Sequence, residues 1–69
     1  MVRMKLHILL AERRLTQQEL SYATGIRQST ISNYCNDSYK HLVKEHLNIL
    51  CNFFNCSVSE LIEYKQDSP

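Results

Sequence analysis

A single glycine, Gly25, separates two short segments of helical character and limits the fold more than any other feature of the 69 residues. Before it, Thr16-Gln-Gln-Glu19 has the form of a capping box. The Thr16 hydroxyl can accept from the Glu19 amide, and the Glu19 carboxylate can reach back to the Thr16 amide. That signal starts a short helix with Leu20 and Ala23 as its inner positions. Gly25 stands where a helix stop needs a residue tolerant of positive φ. Ile26 can plug the corner, Gln28 to Cys35 makes the next helix, and Asn36-Asp37, both tolerant of left-handed geometry, end it.

The rest of the chain repeats the helical period. Leu6, Leu9 and Leu10 give the i, i+3, i+4 stripe of a first helix over residues 4–14. Residues 37–43 form a polar connection interrupted by Tyr39 and Leu42. A fourth helix over 44–55 carries Leu47, Leu50, Cys51 and Phe54 on one side. Ser57-Val-Ser-Glu60 is a second capping box and opens a fifth helix with Val58, Leu61 and Ile62 inward. No stretch of clean alternation marks a strand, so the expected class is all-α, a compact five-helix bundle. Residues 1–65 form its one domain, and residues 66–69 form a flexible tail.

A chain of this length buries only about 60% of the surface that its unfolded form exposes. It can hold one small core but not a roomy enzyme cleft as well. A hydrophobic content of 43% and a charged content of 22% are those of an ordinary globular domain and argue against disorder. The apolar stretch in MVRMKLHILLAERR is followed by no small-residue cleavage site, and no run is long enough to span a membrane, so a cytoplasmic location is expected. Cys35, Cys51 and Cys56 form no CxxC pair and are odd in number, which suits reduced, structural thiols. His41 and His46 lie near Cys51 and Cys56 in sequence, but the spacing matches no zinc pattern. No metal, cofactor or small-molecule ligand is expected.

The net charge is only +1, and it is unevenly spread. Residues 1–46 hold Arg3, Lys5, Arg13, Arg14, Arg27, Lys40 and Lys44 against Glu12, Glu19, Asp37 and Glu45. Residues 47–69 hold Lys65 against Glu60, Glu63 and Asp67. A basic end and a mildly acidic end suit a one-faced binder of an anionic partner.

The third helix carries the chemistry. In Arg27-Gln-Ser-Thr-Ile-Ser-Asn-Tyr34 only Ile31 and Tyr34 are needed for a core. The remaining positions are short hydrogen-bonding side chains on one face, with no acid among them. A glutamine amide matches adenine's N6/N7 edge with two hydrogen bonds, and serine pairs with donor or acceptor edges.

The segment LTQQELSYATGIRQSTISNY closely resembles the helix-turn-helix of the phage Cro and repressor family of transcriptional regulators. HLNILCNFFNCSVSELIEY resembles the fourth and fifth helices of that family's compact members, so the resemblance covers residues 4–64 with nothing appended. It implies a five-helix domain that acts as a sequence-specific regulator on double-stranded DNA, its third helix entering the major groove. By the same resemblance Gln28, Ser29 and Asn33 meet base edges, with Thr30 and Ser32 beside them touching base or phosphate. Gln18 grips the phosphate backbone and buttresses Gln28. Arg27, Ser32, Tyr34 and Arg14 complete the backbone contacts, although Arg13 and Arg14 equally suit the dipole at a helix end. Three departures stand out. Arg27 replaces the usual serine cap, Ser21 replaces a packed alanine, and Ile49 and Phe53 replace polar or small residues.

At about 100° per residue, Ile49 and Phe53 point nearly opposite to Leu47, Leu50 and Phe54. Either the loop around Tyr39 and Leu42 covers them or they form a partner surface. The expected reading is the interface of a homodimer, as family members generally bind, and a dimer implies a palindromic site. The low net charge and this apolar pair also allow a different reading, a protein-interaction module of the same fold, such as an antitoxin. His7, His41 and His46 have no carboxylate or serine in a convincing relation, so no enzyme is expected.

Overall fold

The computed structural model describes residues 1–66 as five helices closed by a two-stranded sheet. In chain order these are β1 (Val2–Met4), α1 (Leu6–Arg13), α2 (Gln17–Thr24), α3 (Gln28–Cys35), α4 (Lys44–Phe54), α5 (Val58–Leu61) and β2 (Ile62–Tyr64). Of the expected tail over 66–69, all but Gln66 lies outside the described residues. No helix among the described residues is long and apolar enough to cross a membrane.

The sheet corrects the all-α expectation. β1 and β2 pair antiparallel with Val2 opposite Tyr64, Arg3 opposite Glu63 and Met4 opposite Ile62. Flanking bonds extend the ladder, from Lys65 N–H to the Met1 carbonyl at 2.9 Å and from Lys5 N–H to the Leu61 carbonyl at 2.7 Å. Met4 therefore belongs to a strand and is buried, and the first helix begins only at Leu6. Strands of three residues are too short to show alternation, and each forms only because the other end of the chain arrives beside it.

Ten apolar side chains make the core: Met4, Leu6, Leu10, Leu20, Ile26, Ile31, Tyr34, Leu50, Phe54 and Leu61. Two inward assignments and one outward assignment fail. Ala23 is exposed, and the packed face of α2 runs through Gln17, Leu20, Ser21 and Thr24 instead. Val58 is 54% exposed, because α5 is a single turn that needs only Leu61 to anchor it. Ile49 is half-buried and packs on the core, so it does not point away from it. Phe53 keeps the outward position at 37% exposure, edge-on to Phe54 with ring centroids 5.0 Å apart.

Left-handed residues end three of the helices, namely Arg14 after α1, Gly25 after α2 and Asn55 after α4. At the end of α4 the Cys56 N–H reaches the Cys51 carbonyl at 3.0 Å, and the Asn55 N–H reaches Asn52 at 3.3 Å. This is the paired closure of a Schellman motif, whose usual apolar contact falls here to the two cysteines. Both are half-buried free thiols, as is Cys35, and burial pushes the Cys35 and Cys56 thiols above their ordinary range. Among the described residues no three metal-ligating side chains converge.

Arg13 ties the C-terminal ends of α1 and α4 together. Its guanidinium donates to the Phe54 carbonyl at 2.8 Å and lies 5.4 Å from the centre of the Phe54 ring. The cation thus meets both the carbonyl end of a helix dipole and an aromatic face. Arg13→Ala is expected to lower unfolding free energy by about 1–2 kcal/mol in urea titration. An unchanged midpoint would show the contact to be idle.

Candidate nucleic-acid interface

The turn between α2 and α3 is fixed by hydrogen bonds that are nearly all local. Thr16 caps α2 by accepting from the Glu19 N–H at 3.0 Å, and the Glu19 carboxylate accepts from the Thr16 N–H at 2.9 Å. At the far end Gly25, with φ of 79°, donates its N–H to the Ser21 carbonyl at 2.9 Å. No atom lies near enough to obstruct a Cβ at Gly25, so backbone conformation alone demands glycine there.

Ser21, one of the departures from the family pattern, has a role in this turn. Its hydroxyl donates to the Ile26 carbonyl at 2.5 Å, joining the body of α2 to the corner residue. Thr24 acts alongside it, donating to the Leu20 carbonyl at 2.7 Å and accepting from the Ile26 N–H at 3.3 Å. Alanine at position 21 would leave the Ile26 carbonyl without that partner. Ile26 itself is buried, so the corner is held by packing as well as by hydrogen bonds.

α3 is set on this turn with Ile31 and Tyr34 inward. At about 100° per residue, Gln28, Ser32, Asn36, Ser29 and Asn33 share an outward arc of roughly 140°. Gln28, Ser29, Asn33 and Asn36 are exposed, whereas Ser32, within the arc, and Thr30, beyond its edge, are half-buried. Asn36 was legible only as a helix end, yet its side chain joins this face and its amide donates to the Ser32 hydroxyl at 3.4 Å.

Tyr34 must be removed from the backbone-contact set. It is 2% exposed, and its hydroxyl shares a hydrogen bond of 2.8 Å with His46 Nδ1 on α4. Its ring also meets Tyr39 edge-on, with centroids 5.6 Å apart. A hydroxyl committed to α4 beneath the helix does not reach a phosphate outside it.

Gln18 is exposed on the same side of α2 as Tyr22, which is 92% exposed. Gln17, at the first position of α2, is the glutamine on the packed face and is half-buried. The signal for the distinction was in the sequence, since Gln17 lies three before Leu20 on the inner stripe.

Arg27 is the N-cap residue of α3 and makes no side-chain cap bond. The first turn of α3 holds no acid, so its outward amides and the cation of Arg27 form a positive helix start. Arg14 is exposed in the left-handed position just before α2. From Arg14 to Asn36 the one carboxylate is that of Glu19, which is engaged in the cap. Asp37, which follows, lies 3.9 Å from Arg3 Nε. The interface therefore combines an acid-poor surface, two arginines with no ion-pair partner among the described residues and a row of short polar side chains on a helix anchored from behind.

A family model for the Cro/C1-type HTH DNA-binding domain matches residues 5–67. No curated protein matches the chain. A crystal structure of a candidate DNA-binding protein from Bacteroides fragilis superposes with a TM-score of 0.79 at 24% sequence identity, covering 91% of this chain and 100% of that one. That likeness establishes the shared fold. With the turn, the capped α2 and the exposed α3 in place, the family match settles the assignment: the chain belongs to the Cro/C1-type helix-turn-helix DNA-binding domains.

Proposed function

We propose that the protein is a sequence-specific transcriptional regulator that lays α3 in the major groove of double-stranded DNA. The observation that carries this reading is the acid-free outward face of α3, held from behind by Ile31 and Tyr34. Its eight residues span about 12 Å, comparable with the width of the groove. In this reading Gln28, Ser29 and Asn33 meet base edges, and Thr30 touches the groove wall from the rim. Arg27, Arg14, Gln18 and Ser32 hold phosphates, with Gln17 supporting them from the packed side of α2. Residues 1–65 act as the DNA-binding domain.

Two recognition helices are needed for useful specificity, and we assign the pairing of two copies to the outward side of α4. Phe53 offers its exposed ring for that contact, while Ile49 supports it from the core side. Such a dimer takes a palindrome with half-sites about 10 base pairs apart.

The second reading, a protein-interaction module such as an antitoxin, draws on the net charge of +1 and on the exposure of Ile8, Phe53 and Val58. Salt separates the two. Phosphate contacts release counterions, so duplex affinity falls steeply as salt rises, whereas an apolar protein contact does not.

Three variants test the assignment. Gln28→Ala is expected to cost about 1–3 kcal/mol on the preferred duplex and to relax preference at one base pair per half-site. Equal loss on specific and random duplexes removes Gln28 from the base-reading set. Arg27→Ser supplies the missing cap and should raise unfolding free energy by about 1 kcal/mol. The same change should weaken binding to all sequences and reduce the salt slope by about 0.9. If binding is untouched, Arg27 meets no phosphate. Phe53→Glu should leave the fold intact, lower apparent mass in sedimentation, and weaken palindrome binding far more than half-site binding. A wild type that is monomeric at high concentration and binds one half-site as tightly as two overturns the dimer.

A further inference from the structure

Asn33 is the one outward side chain of α3 whose amide is gripped by the loop that follows the helix. Its Oδ1 accepts from the Ser38 hydroxyl at 3.2 Å, and its backbone carbonyl accepts from the Ser38 N–H at 2.9 Å. Ser38 thus clasps Asn33 at two points across the left-handed turn at Asp37, whose φ is 56°. The loop is itself fastened to β1. Asp37 lies 3.9 Å from Arg3 Nε, and the Tyr39 hydroxyl donates to the Val2 carbonyl at 3.5 Å. By contrast Gln28 has no hydrogen bond from its side chain among the described residues, and its amide is free to turn either end outward.

An asparagine reads adenine by offering both ends of its amide at once, the oxygen to N6 and the nitrogen to N7. With one of its two lone pairs taken by the Ser38 hydroxyl, Oδ1 is held toward the loop, and the end left uncommitted is the amino group, which is a donor only. Guanine presents two acceptors in the major groove, N7 and O6, and thymine presents O4. Adenine sets its own N6 donor beside N7, and cytosine shows the N4 donor, so both oppose an outward amino group.

We propose that Ser38 is a positioning residue for base reading, which holds Asn33 as a hydrogen-bond donor toward an acceptor edge, guanine or thymine, and away from adenine. The proposal rests on the placement of α3 in the major groove and adds to it the chemistry that one of its side chains selects.

The test is selection of bound duplexes from a random pool by the wild type, Asn33→Ala, Ser38→Ala and Ser38→Thr, with thermal unfolding of each. The wild type should enrich guanine or thymine at one position per half-site, and Asn33→Ala should flatten that position alone. Ser38→Ala should reduce the preference there from about tenfold to about threefold or less, with the other positions unchanged. Ser38→Thr, which keeps the hydroxyl, should restore it. Adenine at the position that Asn33→Ala flattens overturns the proposal. So does a Ser38→Ala profile identical to the wild type, or one weakened equally at every position, which marks a merely structural serine. A wild-type pool with no enriched sequence overturns the sequence-reading function itself and this proposal with it.

Discussion

Tyr34 sets the rotation of α3, and with it the set of side chains that the protein can present. The ring is buried among core residues, and the hydroxyl shares its hydrogen bond with His46 on α4. Ile31 fixes the same face one turn earlier with no exposure at all. An eight-residue helix is too short to be stable from propensity alone, so these two anchors hold both its existence and its phase. Turning α3 by one residue would bring either Thr30 or Cys35 outward, according to the sense of the turn, and bury part of the polar arc. Buried polar groups without partners cost more than the turn could return.

The same logic extends to the chain ends. A domain this small has few apolar residues to commit, and leaving either terminus loose would expose Met4, Leu6 or Leu61. The β1–β2 pairing closes that gap with backbone hydrogen bonds, and Lys5 passes directly from its bond with Leu61 into α1. The lysine side chain repeats the connection, donating to the Ser59 carbonyl at 2.9 Å. Because β1 also carries Arg3 and Val2, the closure reaches the loop after α3 through Asp37 and Tyr39. The sheet lies far from α3 in sequence, yet it supports the turn that ends it.

The features legible in the sequence were those set by neighbours in the chain. The Thr16–Glu19 box, the stop at Gly25 and both ends of α3 follow from residues within a few positions, and each stands where those signals put it. The strands were illegible because their partner lies some sixty residues away, and no local pattern of three residues encodes a pairing. Periodicity also failed where it had to choose between adjacent inner positions. Thr24 rather than Ala23 completes the stripe of α2 because its hydroxyl has work at the turn, which apolar counting does not register. Ile49 shows the opposite error. A side chain on the far side of a stripe was read as outward, although its flank still reaches the core. In the candidate interface, exposure of Gln28, Ser29, Asn33 and Arg27 was legible, whereas the withdrawal of Tyr34 required knowing what lay beneath the helix.

A net charge of +1 looks poorly matched to a phosphate backbone, but the total is the wrong quantity. What an approaching duplex meets is the charge left after internal pairing. Glu19 accepts from a backbone amide inside the cap of α2, and Asp37 lies beside Arg3. Arg13, conversely, is withdrawn to the end of α4 and the Phe54 ring, away from the arc. Arg14 is left standing at the C-cap of α1, and Arg27 at the start of α3, where the helix dipole adds to its charge. At Arg27 that arrangement displaces a capping side chain, so helix stability is lower than serine would give while the cation stands exposed at the helix start. Among the described residues no side-chain cap bond is made by Arg27, so its cation remains available to an anion outside the fold, as the proposed function requires.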